Sequence, residues 1–198
     1  MRRLDAMTLA AIARNVLEKY NPTLIHGEPK AIPIEDIVER HYGLNMEYRH
    51  FRKQGNVLGC AVFNDTLLPI WNMDEKRYEL LPVKRGTIVI SAELLNDRTD
   101  GRLRYTVAHE LAHWLIHQEL YSGGNVAAAS SIQTSLEIDS VVERQADILA
   151  CALLMPSNQV KRAYYAIRGA KDPASTLAGL FCVSKQAMGI FLKEHCLV

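Results

Sequence analysis

The stretch Tyr105-Thr106-Val107-Ala108-His109-Glu110-Leu111-Ala112-His113-Trp114-Leu115-Ile116-His117 decides how the rest of the chain is read. It sets His-Glu-x-x-His inside a run of apolar and small residues, the pattern of a helix buried on most sides. Residues four apart on an α-helix are separated by about 40° around its axis, so His109 and His113 share one face. Two imidazoles so placed can hold a zinc ion between them. Glu110, next to the first, stands where it can take a proton from a bound water. Buried polar groups without partners are costly, so these three side chains need either a metal or other hydrogen-bonding residues of a core.

Two histidines leave a zinc site incomplete, because a third protein ligand is needed. The run from Val141 to Pro156 offers one. It is apolar from Ala146 onward except at Asp147, and Pro156 marks its end. Glu143 and Asp147 are four apart and share a face, where two carboxylates repel unless a cation stands near them. A zinc ion beside Glu143 removes that repulsion. Asp147, one turn on, can then accept the free ring N–H of a zinc-bound histidine and fix its tautomer. The competing reading makes Glu143 a first-turn glutamate stabilised by the helix macrodipole, with Asp147 paired to a local arginine. Tyr105, His117 and Tyr121 are the candidates for contacts to a substrate or transition state. His117, one turn past His113, also fits a hydrogen-bonded residue of the core.

Upstream, Thr8 to Tyr20 carries apolar residues at helical spacing, with Thr8 as the cap and Asn21-Pro22 as the stop. A loop with Gly27 and Pro29 follows, then a second helix from Pro33 to Tyr42 closed by Gly43. Strands are expected at Leu44 to Phe51, Asn56 to Phe63, Leu67 to Trp71 and Gly86 to Ser91, with polar loops at 72–77 and 96–101. Thr87 to Ser91 fits an exposed edge that aligns an extended substrate by strand addition, and fits an interior strand equally well. His26, His41 and His50 stand alone, whereas metal ligands come in clusters. Gln118 to Asp139, with Gly123-Gly124 and Ala127 to Ser131, is the least structured stretch, placed to wall or cover the site or simply to connect. The expected fold is α+β, a small and mostly antiparallel sheet packed on helices.

Composition narrows the function. The 198 residues are 48% hydrophobic and 23% charged with a net charge of +1, an ordinary globular balance without the electrostatic footprint of a nucleic-acid binder. No apolar run approaches twenty residues, so no membrane span is expected, and Met1 to Ala6 lacks the apolar core of a signal peptide. Cys60, Cys151, Cys182 and Cys196 form no short pairing or Cys-x-x-Cys pattern, and read as reduced thiols of an intracellular protein.

Arg104 to His117, followed by Glu143-Arg144-Gln145-Ala146-Asp147 and Leu153-Leu154-Met155-Pro156, resembles the ImmA/IrrE family of zinc metallopeptidases, gluzincin-like enzymes of bacteria, phages and mobile elements. Pro33 to Ile37 and Gly86 to Ile90 resemble it too, so the likeness spans residues 30 to 156. The resemblance implies a zincin-like core in which His109, His113 and Glu143 hold one zinc ion and Glu110 is catalytic. It implies a cytoplasmic endopeptidase whose substrate is a repressor of the helix-turn-helix type, cut to relieve repression in a stress, phage or mobile-element switch. Asp147 stands where many members carry Asn, closer to the wider gluzincin pattern.

Residues 1–156 are thus expected to form the metallopeptidase domain with its N-terminal helices, and 157–198 a helical extension packed on it. Pro173 to Leu192 itself resembles a helix-turn-helix, turning at Cys182-Val183-Ser184 with Ser184 capping the second helix. Residues 157–198 hold six Lys/Arg against two Asp/Glu, but Lys185 and Gln186 are the only obvious base-reading side chains, which does not predict DNA binding. The alternative function is a regulatory module that grips a repressor or DNA without proteolysis. A purely structural metal is a third.

Overall fold

Asp5, in extended backbone, accepts the Thr8 N–H on its carboxylate and caps helix α1 (Ala6–Tyr20). The cap expected at Thr8 therefore falls three residues earlier: Thr8 already lies inside the first turn, and its free N–H is the one that needs an acceptor. The chain is described from a computed structural model, which covers residues 4–51, 57–96, 100–121, 136–167 and 169–198. After α1 comes a single helical turn, α2 (Thr23–His26), within the expected loop. Helix α3 (Ile34–Asp36) runs straight into a π-helical turn, Ile37–His41, and Gly43 at φ 63° supplies the left-handed residue that ends it.

Strands β1 (Asn45–Arg49), β2 (Gly59–Val62), β3 (Thr66–Asn72), β4 (Arg77–Val83) and β5 (Thr87–Ser91) follow. They form two sheets, not one. In the larger, β5 lies between β1, which it pairs in parallel, and β2, which it pairs antiparallel. All five residues of β5 are buried, so the exposed-edge reading of Thr87 to Ser91 is corrected: it is the central strand, and β-branched residues on both faces fill the space between layers. The second sheet is the hairpin β3–β4, in which Pro69 pairs with Leu80 and Pro82 with Leu67. Strand β4 falls in a stretch to which the sequence reading assigns no element; its outer edge pairs with no strand among the described residues, and there the missing N–H of Pro82 costs little.

A 3₁₀ turn (Ala92–Asn96) leads toward helix α4 (Asp100–Ile116). Helices α5 (Gln118–Tyr121), α6 (Leu136–Leu154), α7 (Ser157–Ala166), α8 (Pro173–Phe181) and α9 (Lys185–Glu194) complete the order. The wall or lid expected within 118–139 lies mostly outside the described residues; its two ends are helical.

The core sits between α4 and α6. Val107, Ala108, Leu111 and Ala112 of α4 share one apolar cluster with Ala146, Leu149, Ala150 and Leu153 of α6. Leu9, Ala13, Val16 and Leu17 of α1 join it, as do Ile88 and Ile90 from one face of β5. Fully burying a Leu or Ile side chain stabilises the fold by about 1.5–3 kcal/mol, so this cluster fixes where the polar faces of α4 and α6 meet. Val160, Leu177, Phe181, Met188 and Leu192 belong to the same cluster, which ties α7, α8 and α9 to it.

Two close approaches set α4 in place. Gly101 lies so near the α8–α9 turn that a Cβ there would sit 3.0 Å from Ser184 N and 3.1 Å from the Val183 carbonyl carbon. Arg104 donates to the carbonyls of Cys182 and Ile32 and pairs with Glu35, so one nearly buried guanidinium joins α4, the α8–α9 turn and the start of α3. Among the described residues, no single helix is long and apolar enough to cross a membrane.

Candidate metal centre

Packing α4 on α6 brings His109, His113 and Glu143 together, with one ligand atom of each within 4.8 Å of the others. The Nε2 atoms of His109 and His113 face each other at 3.0 Å. Glu143 Oε2 lies 3.1 Å from His109 Nε2, and Oε1 lies 3.4 Å from His113 Nε2. Helical periodicity accounts for the geometry: four residues advance a helix by little more than one turn, so the two rings meet edge-on along one face of α4, opposite Glu143 on α6. The His113 side chain is 2% exposed and that of Glu143 45%, so the cluster opens to solvent on the α6 side.

Asp147 lies one turn beyond Glu143, as expected from the sequence. Its Oδ1 is 3.0 Å from His109 Nδ1 and accepts a 2.5 Å hydrogen bond from the Tyr105 hydroxyl. The His109 Nδ1 is buried, and the carboxylate stands off the line of its N–H, which makes this a close ionic contact instead of an aligned hydrogen bond.

Glu110 is buried on the opposite side, against β2. Its carboxylate accepts the Ala61 N–H, and a Cβ on Gly59 would lie 2.7 Å from its Cγ and 2.8 Å from its Oε1. Only a glycine allows the strand to pass this close. Tyr121 is core: it is 4% exposed and stacks on Phe63 with ring centroids 5.0 Å apart. His117 is 3% exposed, with Nδ1 3.1 Å from His113 Nδ1 and Nε2 3.3 Å from Gln145 Oε1. Both were candidates for substrate contact, and their burial gives a substrate no surface to touch. Tyr105, partly exposed, reaches the cluster through Asp147.

The cluster is built to hold positive charge. Burial opposes charge on the His109 ring, but the close carboxylates of Asp147 and Glu143 outweigh it and push its pKa up to about 10. Burial would raise Glu143; the facing His109 and His113 reverse this and hold it well below the usual carboxylate range. Asp147 is lowered, first through His109. Burial raises Glu110, with the histidine charges and the Ala61 N–H pulling the other way. Burial, and then the charge of His113, pushes His117 down to about 4.

Gln145 and Gly59 were not singled out from the sequence. A glycine inside a strand signals close backbone approach, which would have found Gly59. No local signal marks Gln145, whose partners lie far off in the chain.

Two histidines and a glutamate from packed helices of a mixed α+β fold, flanked by a buried acid, define a candidate single-metal centre. The chain belongs to the peptidase M78 family: residues 64–193 match the IrrE N-terminal-like domain that describes it, a match running through α9. No curated protein matches the chain. Among solved structures, a "Mycobacterium tuberculosis transcriptional regulator" aligns at 16% identity and a TM-score of 0.46, covering 91% of this chain and 54% of that one. This chain thus spans about half the length of that protein.

Proposed function

We propose that the chain is a zinc-dependent endopeptidase with a zincin-like core, working in the cytoplasm on a helix-turn-helix transcriptional repressor. The observation that carries the reading is the convergence of His109, His113 and Glu143 beside the buried carboxylate of Glu110. The donor set fits zinc: two imidazoles and one carboxylate make a three-ligand site with a fourth position free. As a purely hydrogen-bonded cluster the same atoms fit less well, since the buried His109 Nδ1 has no aligned acceptor.

Zinc held there supplies a Lewis acid that polarises a peptide carbonyl and lowers the pKa of water. Glu110 takes the proton of the attacking water and delivers it to the leaving amine nitrogen. Its burial-raised pKa brings it nearer to neutrality, where one group can serve as base and then as acid. Asp147 orients the His109 ring, and Tyr105 holds Asp147. The extended substrate is aligned on β2, the sheet edge beside Glu110, whose outer side pairs with no strand among the described residues. Residues 1–156 are the catalytic unit in this reading, and 157–198 a helical extension held on it.

The repressor substrate rests on the family resemblance. The alternative, a binding module without proteolysis, has the α8–α9 pair in its favour. Against it, Lys185 is paired with Asp172, and Met188, Phe191 and Leu192 of α9 are buried.

The test is incubation of the zinc-loaded chain, wild type and Glu110→Gln, with purified helix-turn-helix repressors as candidate substrates. Zinc should be retained in both and cleavage abolished in Glu110→Gln. Undiminished cleavage would remove Glu110 as the base, and bound zinc without hydrolysis by the wild type would favour the binding module.

A further inference from the structure

The Nδ1 side of His113 is held by a chain of buried polar groups whose hydrogen-bond direction can be read from its far end. The Leu4 carbonyl oxygen accepts from Gln145 Nε2 at 3.4 Å. A carbonyl has no hydrogen to give, so the amide cannot be turned round without setting two oxygens against each other. Gln145 therefore presents Oε1 to His117, and His117 Nε2, 3.3 Å away, must be the donor. In a neutral imidazole the other nitrogen is then a bare acceptor. His117 Nδ1 faces His113 Nδ1 at 3.1 Å, so His113 Nδ1 carries the hydrogen between them. The remaining nitrogen, His113 Nε2, is left with its lone pair directed at His109 Nε2 and Glu143. His113, His117 and Gln145 are each 4% exposed or less, so water does not compete for these bonds.

We propose that His117 and Gln145 are positioning residues that lock His113 in the Nδ1–H tautomer, with the backbone carbonyl of Leu4 setting the direction of the chain. This rests on the zinc reading given above, and extends it: the two histidines are oriented by different means. His109 faces the half-exposed carboxylate of Asp147, whereas His113 faces a sealed, neutral chain that crosses from α4 through α6 to the segment preceding α1. A neutral acceptor fixes the ring without adding a second negative charge to the buried side of the site.

The test has two arms on the full chain. In the metal-free protein, at a pH where both rings are neutral, ¹⁵N imidazole spectra should show His113 as the Nδ1–H tautomer and His117 as the Nε2–H tautomer. His117 carrying its hydrogen on Nδ1, or His113 on Nε2, overturns the proposal, and this arm needs no variant to fold. In the second arm, zinc affinity is measured by competition with a chelator. His117→Leu should weaken it by roughly 10–100-fold, while His117→Asn, which keeps an oxygen near the Nδ1 position, should stay within roughly threefold of wild type. Equal weakening in both variants, or none in His117→Leu, overturns it. Failure of the wild-type chain to bind zinc would instead remove the metal reading, with the tautomers still deciding the hydrogen-bond chain.

Discussion

A Cβ on Gly59 would stand 2.7 Å from Glu110 Cγ, closer than side-chain atoms approach one another, so the acid can hold this place beside the strand only with glycine there. The Thr106 methyl, 2.8 Å from the same point, leaves no room on the other side. Gly59→Ala should therefore push the Glu110 carboxylate off the Ala61 N–H without touching the three metal ligands. The expected outcome is unchanged zinc content with peptide cleavage lowered at least tenfold, measured on protein whose circular dichroism matches wild type. Undiminished cleavage would mean that the position of Glu110 against β2 does not matter to the reaction.

The metal-free chain should be most stable near pH 6.5 and lose stability on both sides. His117 titrates at about 4 when folded, below its ordinary 6.5. The unfolded chain binds that proton more readily, so stability is full above pH 6.5 and falls as pH drops toward 4. His109 is shifted the other way, to about 10, so its contribution is full below pH 6.5 and is lost as pH rises through 10. Glu143, held low, adds its own loss only below its ordinary 4.5. Thermal melts of chelator-stripped protein across this range check the shape. His117→Leu should flatten the acid limb between pH 6.5 and 4.

Arg104 joins three segments from a nearly buried position. Arg104→Met keeps an unbranched apolar stem but leaves the Cys182 and Ile32 carbonyls without their donor. A loss of about 2–4 kcal/mol is expected, in the range for removing a charged hydrogen-bonding group from a largely buried site. Denaturant midpoints measure it. If stability is unchanged, the α8–α9 turn is held to α4 by apolar packing alone.

What the sequence makes legible follows from how local each signal is. The spacing within His109/His113 and within Glu143/Asp147 is helical, and helical periodicity survives into the fold, so each pair is legible on its own helix; that the two pairs face each other is a product of packing α4 on α6. Thr87 to Ser91 is recognisable as a strand, but a β-branched run looks alike at the centre and at the edge of a sheet; its place depends on β1 and β2, which are remote in sequence. Strand β4 carries Pro82, which a strand tolerates on an outer edge that pairs with no other strand among the described residues, a position set by the hairpin and not by the local sequence. The surroundings of His117 depend on Gln145 and Leu4, brought together by the packing of α1 and α6 across 141 residues of sequence. The chemistry of the site is thus written locally, and the means that orient it are not.

The account stands most directly on Glu143, the ligand that comes from a different helix than the histidines. Metal analysis of the purified wild-type chain beside Glu143→Ala tests it. One zinc per chain in the wild type and a large loss in Glu143→Ala is the predicted result. Equal zinc in the two proteins would contradict it and move the third ligand elsewhere.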